Sequence, residues 1–236
     1  MKLQIIGGGL PAEQAKRLAA AAGWELTEED ADYVLPAPES GELPEGLTGD
    51  NVLLDREAWA LASSRFRTDA FLRERGFPVP AYFPDGSEPY IVKPDRGGFG
   101  RGIWVTDDYC EVGGAVNAGF VAQEELPGDV WSAAVAGVPG SYTAFPPARL
   151  SFDGRRQRTG AELAEHPQGD DLRRMAAAVA EAAALRGVLE VEAIFHLGAW
   201  KIIDLNARLP ILTSDALLDR GMNLLEELVK AYAPID

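Results

Sequence analysis

Short apolar runs and helical patterns alternate along the first part of the chain. Residues 3–6 are mostly apolar and predict a buried strand, and three glycines follow at positions 7–9. A helical pattern over 11–22 opens on a proline and stops at a glycine, as helices commonly do. The segment 23–50 is rich in Pro, Gly and acidic residues. We therefore expect a small, loop-rich α/β lobe at the start of the chain.

The next segment predicts a helix followed by a β-hairpin. Apolar side chains recur at helical spacing over residues 55–75, and we expect a boundary between lobes near residue 62. Strand patterns at 90–92 and 103–105 flank a glycine-rich stretch. This arrangement predicts a hairpin with residues 96–102 at its tip.

The remaining half of the chain predicts further strands and helices. The strands are expected at 120–123, 132–136, 188–195 and 200–207, and the helices at 170–186 and 223–232. Strands and helices thus both contribute along the whole length. The pattern predicts a mixed α/β (α+β) fold.

Composition narrows the classes of function. The chain has 236 residues, of which 47% are hydrophobic, enough to build a core. A net charge of −15 disfavours binding to nucleic acid or to an anionic membrane, because both require basic surface. One cysteine, Cys110, fits a reducing compartment, and we expect a cytoplasmic protein without a membrane anchor. With two histidines and one cysteine, a zinc site of the usual ligands is disfavoured, so any metal should be bound by oxygen.

The glycines at 7–9 have two interpretations. They follow a predicted strand, as in a dinucleotide-binding fingerprint, but that pattern requires glycine where Ala12 stands. A tight turn between strand and helix is the preferred interpretation. Such a turn could still offer backbone N–H groups to a small carboxylate.

The second glycine cluster indicates a phosphate site. Lys93 ends one strand, and Gly97, Gly98 and Gly100 follow within the hairpin tip. Glycines let backbone N–H groups approach phosphate oxygens closely, and nearby cations offset the repulsion from an acidic protein. The alternative is a glycine-rich surface hairpin with solvated arginines.

Polar side chains on two neighbouring strands indicate a metal site. Glu190 and Glu192 project to one face of their strand, and Asp204 and Asn206 to one face of the next, because side chains alternate along a strand. A short turn joins the two strands, so these oxygens can form one cluster. Such a cluster suits Mg²⁺ together with phosphates. The alternative, a polar face exposed to solvent, is weakened by the apolar residues on either side, among which unpaired carboxylates would be costly.

Six features, in order over residues 60–236, resemble the ATP-grasp carboxylate–amine ligases. They are Arg65, VKP with Lys93, GGFGRG at 97–102, QEELPG at 123–128, LEVEAIF at 189–195 and IIDLNAR at 202–208. The resemblance implies an ATP-grasp fold, with two lobes enclosing ATP, after a reduced N-terminal lobe. We expect the shortened N-terminal lobe at 1–62, the small ATP-grasp lobe with the glycine loop at 63–120, and the large lobe with the metal site at 121–236.

The resemblance also implies a nucleotide site. Lys93 matches a lysine that contacts phosphate, and Arg65 stands where the family has another nucleotide-binding lysine. The loop of Gly97, Gly98 and Gly100 matches the flexible cover over the phosphates. The hinge that hydrogen-bonds adenine, largely through backbone groups, matches Gln123, Glu124 and Leu126.

The implied chemistry is ATP-dependent ligation that forms an amide and releases ADP. Glu192, Asp204 and Asn206 match the residues that bind Mg²⁺, two ions being expected. Arg208 matches the arginine that meets the transferred phosphate and the substrate carboxylate, so Lys93 and Arg208 are the candidate catalytic residues. Amino acids are the expected substrates, and a homodimer is possible because the family often forms dimers.

A narrower resemblance is to the ligases of pyrrolysine biosynthesis, which join 3-methylornithine to lysine. It is carried by GGGL at 7–10, DYVLP at 32–36, VEAIFHLG at 191–198 and ARLP at 207–210. Pro11, Ile211 and Leu212 depart from that pattern and favour a ligase for another amino acid or peptide. Arg65 and Val130 depart from the wider family and favour a nucleotide-binding module without ligase activity.

Overall fold

The computed structural model describes residues 1–38, 43–97, 100–153 and 157–233. Within these ranges the strands form three sheets, of three, three and six strands. Gly98, one of the predicted loop residues, lies outside the described residues.

The N-terminal sheet is wholly parallel, with the strand order β2-β1-β3. Its elements are β1 (Lys2–Gly7), α1 (Gly9–Ala21), β2 (Glu25–Leu26) and β3 (Tyr33–Ala37). Gly7 has a φ of +146°, and a Cβ at this position would lie 2.1 Å from the carbonyl oxygen of Ala37. The close approach of the paired strands β1 and β3 thus requires glycine here, which supports the tight-turn interpretation.

The expected helix over 55–75 is divided in two. Its parts are α2 (Arg56–Ala62) and α3 (Arg65–Glu74). Ser64 has an extended backbone, and its Oγ accepts a hydrogen bond from the N–H of Arg67 as the N-cap of α3. The same hydroxyl donates to Asp95 at 2.8 Å. A partner far along the chain therefore stabilises a break that the apolar spacing did not reveal.

The second sheet is antiparallel, with the order β5-β4-β6. It contains β4 (Tyr90–Pro94), β5 (Trp104–Thr106) and β6 (Phe120–Glu124), with α4 (Tyr109–Asn117) packed against it. The hairpin between β4 and β5 agrees with the sequence pattern. The helix α4 was not expected, since it contains two consecutive glycines; Asp108 caps its first turn.

The third sheet has the order β10-β9-β7-β11-β12, with β8 paired to β7. Its strands are β7 (Val130–Val138), β8 (Ser141–Ala144), β9 (Ala148–Phe152), β10 (Arg158–Leu163), β11 (Gly187–His196) and β12 (Ala199–Asn206). The helices of this part are α5 (Gly169–Ala182), α6 (Ile211–Leu218) and α7 (Leu224–Tyr232). Strands β8 to β10 and helix α6 were not expected. Helix α5 ends earlier than expected, and Ala184 has a φ of +47° where the chain turns toward β11.

Strand β7 separates two apolar clusters. Ala133 and Val135 face the cluster under α5, whereas Ala134 and Ala136 face a cluster formed with α1, α6 and α7. The second cluster includes Leu3 of β1, so the N-terminal sheet shares its core with the last third of the chain. No helix among the described residues combines the length and the apolar character needed to span a bilayer.

Candidate active site

Strands β11 and β12 place the acidic residues opposite one another. Glu190 is the direct partner of Asn206, and Glu192 is the direct partner of Asp204. The register shifts immediately afterwards, so that Ala193 pairs with Ile202. Both glutamates are buried, whereas the side chain of Asp204 is 25% exposed. The two strands therefore bring these side chains to one face, and Asp204 is the more exposed of the three carboxylates.

An arginine that the sequence did not reveal holds both glutamates. Arg158 of β10 donates from Nη1 to Glu190 at 3.1 Å and from Nη2 to Glu192. Asn206 donates from Nδ2 to Glu192 Oε1 at 2.7 Å. No motif marks Arg158, because it belongs to a strand with a weak apolar pattern and meets its partners only through the sheet.

Glu190 is enclosed by donors. Burial by itself would raise the pKa of Glu190, but Arg158, the hydroxyl of Ser132, Arg208 and the hydroxyl of Thr213 together hold that pKa below its ordinary value. The two hydroxyls donate to Oε1 at 2.7 and 3.0 Å. Glu190 is therefore a buried carboxylate whose charge is compensated from several sides.

Arg208 follows β12 and lines the same region. Burial lowers the pKa of Arg208, Glu190 raises it, Arg158 lowers it and Asp204 raises it, with a net decrease. An arginine stays protonated in spite of such a decrease. Two guanidinium groups, those of Arg158 and Arg208, therefore act on the carboxylates of this region.

Lys93 connects the small sheet to the large one. Its Nζ donates to Gln123 Oε1 at 3.0 Å and to the carbonyl oxygen of Ile203 at 3.3 Å. Ile203 lies at the register shift of β12, where an extra residue bends the strand. The ammonium is thus buried and held against the backbone of β12, at the residue before Asp204.

Arg65 is the first residue of α3 and faces the same point. Its Nη1 donates to the carbonyl oxygen of Pro94 at 2.6 Å, and its Nη2 lies 3.8 Å from Asp204 Oδ2. The side chain is 14% exposed. Because the helix breaks at Ser64, Arg65 is the first residue of α3. In one continuous helix it would have been an interior residue.

The glycine hairpin lies beside these cations. Gly97 and Gly100 have φ values of +150° and +72°, conformations that favour glycine. Both line the cleft, as do Arg96 and Arg101. The described residues of the hairpin therefore bring two arginines to the cleft that Lys93 also lines.

The expected adenine hinge follows β6. The N–H of Glu124 donates to the carbonyl of Ala81 at 2.8 Å, and the N–H of Glu125 donates to that of Pro89 at 2.8 Å. The carboxylate of Glu124 accepts from the N–H of Ala81 at 2.9 Å. Within the described residues, no acceptor pairs with the N–H of Leu126. The backbone of the hinge is thus hydrogen-bonded up to Glu125, and the N–H of Leu126 is the donor that it offers to a ligand.

A single cleft of about 1900 Å³ joins these parts. All the described residues that the sequence marked as site residues line it. They are Arg65, Lys93, Gly97, Gly100, Gln123, Glu124, Leu126, Glu192, Asp204, Asn206 and Arg208. Their roles remain predictions, but the structure brings the candidates for phosphate, adenine and metal binding together in one cleft.

The donor set suits a hard cation. Among the described residues, no three His, Cys, Asp or Glu side chains lie close enough to hold a metal ion. Glu192 and Asp204 supply two carboxylates and Asn206 an amide, all oxygen donors. Mg²⁺ is usually held by one or two carboxylates with substrate phosphates and water, so these residues fit it.

Comparison with protein families finds one match over most of the chain. The family described as the ATP-grasp domain matches residues 62–212.

The chain belongs to the ATP-grasp family.

Curated relatives in this family carry one name. The 3-methyl-D-ornithine–L-lysine ligase of Methanosarcina acetivorans is 27% identical over 210 residues, covering 86% of this chain and 57% of that relative. The ligase of the same name from Methanosarcina mazei is 26% identical over 210 residues, covering 86% and 56%. The chain spans just over half the length of these curated relatives.

Solved structures confirm the expected ATP-grasp fold. A D-alanine–D-alanine ligase from Bacillus anthracis superposes with a TM-score of 0.74 at 16% identity, covering 98% of this chain and 97% of that one. A biotin carboxylase in complex with an ATP analogue, from Campylobacter jejuni, gives a TM-score of 0.76 at 16% identity, covering 100% and 72%. At these identities the ATP-grasp likeness concerns the fold alone.

Proposed function

We propose that this protein is an ATP-dependent ligase that joins an amino-acid carboxylate to an amine through an acyl phosphate. The observation that carries the proposal is the convergence of Lys93, Arg65, Asp204 and Arg208 on one cleft, beside a basic glycine hairpin. Lys93 contacts the backbone of β12 at Ile203, and Arg65 lies 3.8 Å from Asp204 on the same strand. Charge that develops on a transferred phosphoryl group is stabilised by such an arrangement.

The first half of the reaction transfers the γ-phosphoryl group of ATP. A carboxylate oxygen of the substrate forms the new P–O bond, and the bond to the leaving ADP oxygen breaks. Lys93, held by Gln123 and Ile203, supplies a fixed ammonium for the phosphates. Arg65 supplies a second cation, and the N–H groups near Gly97 and Gly100 can approach the oxygens closely.

Glu192, Asp204 and Asn206 would hold Mg²⁺, two ions being expected. When bound, Mg²⁺ neutralises phosphate charge and orients the phosphoryl group. Arg208 lines the same cleft, which supports assigning it to the substrate carboxylate and the transferred phosphate. Arginine suits this role because its planar fork can contact two oxygens at once.

The second half of the reaction forms the amide. The amine nitrogen attacks the acyl carbon, its proton is lost, and phosphate leaves with the electrons of the C–O bond. An amine like that of free lysine costs about 4.6 kcal/mol to deprotonate at pH 7, given a pKa of about 10.4. Holding both substrates in place is worth roughly 7–11 kcal/mol, which offsets that cost without a dedicated base.

The names of the relatives suggest the substrates. The proposed pair is 3-methylornithine, or an ornithine-like amino acid, and lysine, as in pyrrolysine biosynthesis. Ile211 and Leu212 line the cleft just beyond Arg208 and make this end apolar. This departure favours the alternative of a ligase for another amino acid or peptide.

ADP release measured over a panel of amino-acid pairs tests the proposal. The expected result is Mg²⁺-dependent ADP release with one pair, lost in Lys93→Ala, together with a product whose mass equals both substrates less one water. Phosphate release without that product would contradict ligation.

One observation favours a second candidate, a nucleotide-binding module without ligase activity. Arg158 already pairs with Glu192, one of the expected metal ligands. An arginine in this position can compensate the charge of the carboxylate in place of a metal ion. ATP binding by calorimetry, with no turnover for any amino-acid pair, would support this candidate over the ligase.

A further inference from the structure

A chain of buried hydrogen bonds leads away from Lys93 into the small lobe. Lys93 Nζ donates to Gln123 Oε1 at 3.0 Å, and Gln123 Nε2 donates to the hydroxyl of Tyr82. Lys93 and Gln123 are both buried. Tyr82 and Gln123 are also paired through their backbones as an isolated bridge. The contact between the amide and the phenol is therefore fixed at both the main chain and the side chain.

This row of hydrogen bonds ends on helix α3. The Tyr82 phenol faces the carboxyl group of Asp69, whose charge and acceptor oxygens act on it and whose side chain is 16% exposed. Asp69 Oδ1 lies 3.4 Å from Nε of Arg73, and the guanidinium of Arg73 lies over the Tyr82 ring at 4.6 Å. Asp69 stands one turn after Arg65, so one helix carries both the proposed phosphate-binding arginine and the end of this chain.

The donors and acceptors allow one consistent direction. An ammonium only donates, so the oxygen of the Gln123 amide must face Lys93 and its NH₂ group must face Tyr82. The Tyr82 oxygen then accepts, and its own proton is directed to Asp69. Burial raises the pKa of the Tyr82 phenol, and Asp69 raises it further, so this proton is retained. A carboxylate at position 69 thus sets the orientation of an amide that it does not touch.

We propose that Tyr82 and Asp69 are positioning residues that orient the Gln123 amide and thereby hold the Lys93 ammonium in the phosphate site. The inference rests on the proposed function, in which Lys93 binds the nucleotide phosphates. Lys93 and Gln123 line the main cleft, whereas Tyr82 lines only a small cavity of about 10 Å³, which Gln123 also lines. Tyr82 and Asp69 therefore act through Gln123 and not by contact with the ligand.

Substitution of the phenol tests the proposal. Tyr82→Phe removes the acceptor of the Gln123 NH₂ group, which leaves the amide free to turn away from Lys93. ATP affinity, measured by calorimetry, is expected to fall by about tenfold, as for the loss of a hydrogen bond that supports a charged group. Tyr90→Phe is the matched control, since the Tyr90 hydroxyl donates to the carbonyl of Gly86 in the same lobe without meeting Lys93. Its ATP affinity should equal that of the wild type.

A second variant, Asp69→Asn, reverses the direction of these hydrogen bonds with little change in side-chain shape. Asp69→Asn introduces an NH₂ group that can donate to Tyr82, turn its proton toward Gln123 and bring the amide NH₂ group against the ammonium. It is also expected to weaken ATP binding by about tenfold, with an unchanged thermal unfolding midpoint. This variant keeps the proposal testable if Tyr82→Phe does not fold.

The Lys93→Ala background separates this inference from the proposed function. In that background, Tyr82→Phe and Asp69→Asn should cause no further loss of ATP affinity, because the group that they position is absent. Wild-type affinity in both single variants, or equal losses with and without Lys93, overturns the inference and leaves the ligase proposal intact. A wild-type protein that binds no ATP, or a Lys93→Ala protein that binds it unchanged, overturns the assignment of the phosphate site itself.

Discussion

The guanidinium of Arg158 donates a hydrogen bond to the carboxylate of Glu192, although the two residues lie on strands that are not neighbours in the sheet. Strands β9 and β7 lie between β10 and β11 in the sheet order, so Arg158 reaches across the face of the sheet. The same guanidinium holds Glu190, whose side chain is 1% exposed. Arg158 thus compensates two buried charges at the edge of the cleft.

Removal of Arg158 is expected to destabilise the fold. Arg158→Met keeps an apolar stem but leaves two buried carboxylates without their common cation, at a cost of about 3 kcal/mol in the free energy of unfolding. Urea unfolding at pH 7 measures it. Arg149→Met is the matched control, because Arg149 pairs with an exposed glutamate, Glu162, and should cost less than about 1 kcal/mol. Equal effects of the two substitutions would mean that the buried carboxylates are compensated by other groups.

Asp204 is expected to separate nucleotide binding from chemistry. Asp204→Ala should lower the rate of ADP release by more than about a hundredfold, since it removes charge stabilisation near the phosphoryl group. ATP should still bind, because the Leu126 end of the cleft is untouched. Asn206→Asp should be milder, as it keeps an oxygen ligand.

Steady-state ADP release and calorimetry measure both effects of Asp204→Ala. Asp171→Ala, on the exposed face of α5, is the control and should behave as the wild type. Wild-type turnover in Asp204→Ala would remove the metal assignment.

Gly100 provides a test of the phosphate hairpin. Its φ of +72° is matched by Gly140, at +79°, in a turn between β7 and β8. Alanine at either position should cost about 1 kcal/mol of stability through the same backbone strain. Only Gly100→Ala should also weaken ATP binding, because a Cβ there hinders close approach of the backbone to phosphate. Chemical unfolding and calorimetry on the two variants distinguish strain from lost contact; identical ATP affinities would argue for a plain surface hairpin.

Tyr142 links stability to alkaline pH. Burial, followed by the charges of Glu181 and Asp55, raises the pKa of Tyr142 from 10.0 to about 12. The neutral hydroxyl donates to the carbonyl of Leu185 at 2.8 Å, a bond that the phenolate cannot make. The stabilisation is therefore complete below pH 10 and is lost as the pH rises toward 12.

The difference in unfolding free energy between wild type and Tyr142→Phe should shrink over that same range of pH. Urea unfolding at pH 9 to 12 measures it, with Tyr109→Phe, at an exposed ring, as the control. A difference that stays constant with pH would show that Tyr142 does not lose its hydrogen bond by ionising.

Local pattern was sufficient for the parts of the site that lie close together in the chain. Glu192 and Asp204 could be placed on one face because side chains alternate along a strand and a short turn sets the pairing of β11 with β12. Lys93 and the glycine hairpin could be placed together for the same reason, since β4 leads directly into the tip. The ATP-grasp fold was predicted from the resemblance of these motifs, in their order, to that family.

The other contacts of the site depend on residues that are far apart in the chain. Arg158 meets Glu190 only because β10, β9, β7 and β11 lie in that order in the sheet. The break before Arg65 is stabilised by Asp95, and the path from Lys93 to Asp69 needs the small sheet, the segment of Tyr82 and helix α3 in contact. Apolar periodicity reports which face of an element is buried, but it carries no information about which distant polar group will complete a hydrogen bond there. That choice is made when the elements pack, because a buried polar group must then find a partner within about 3 Å.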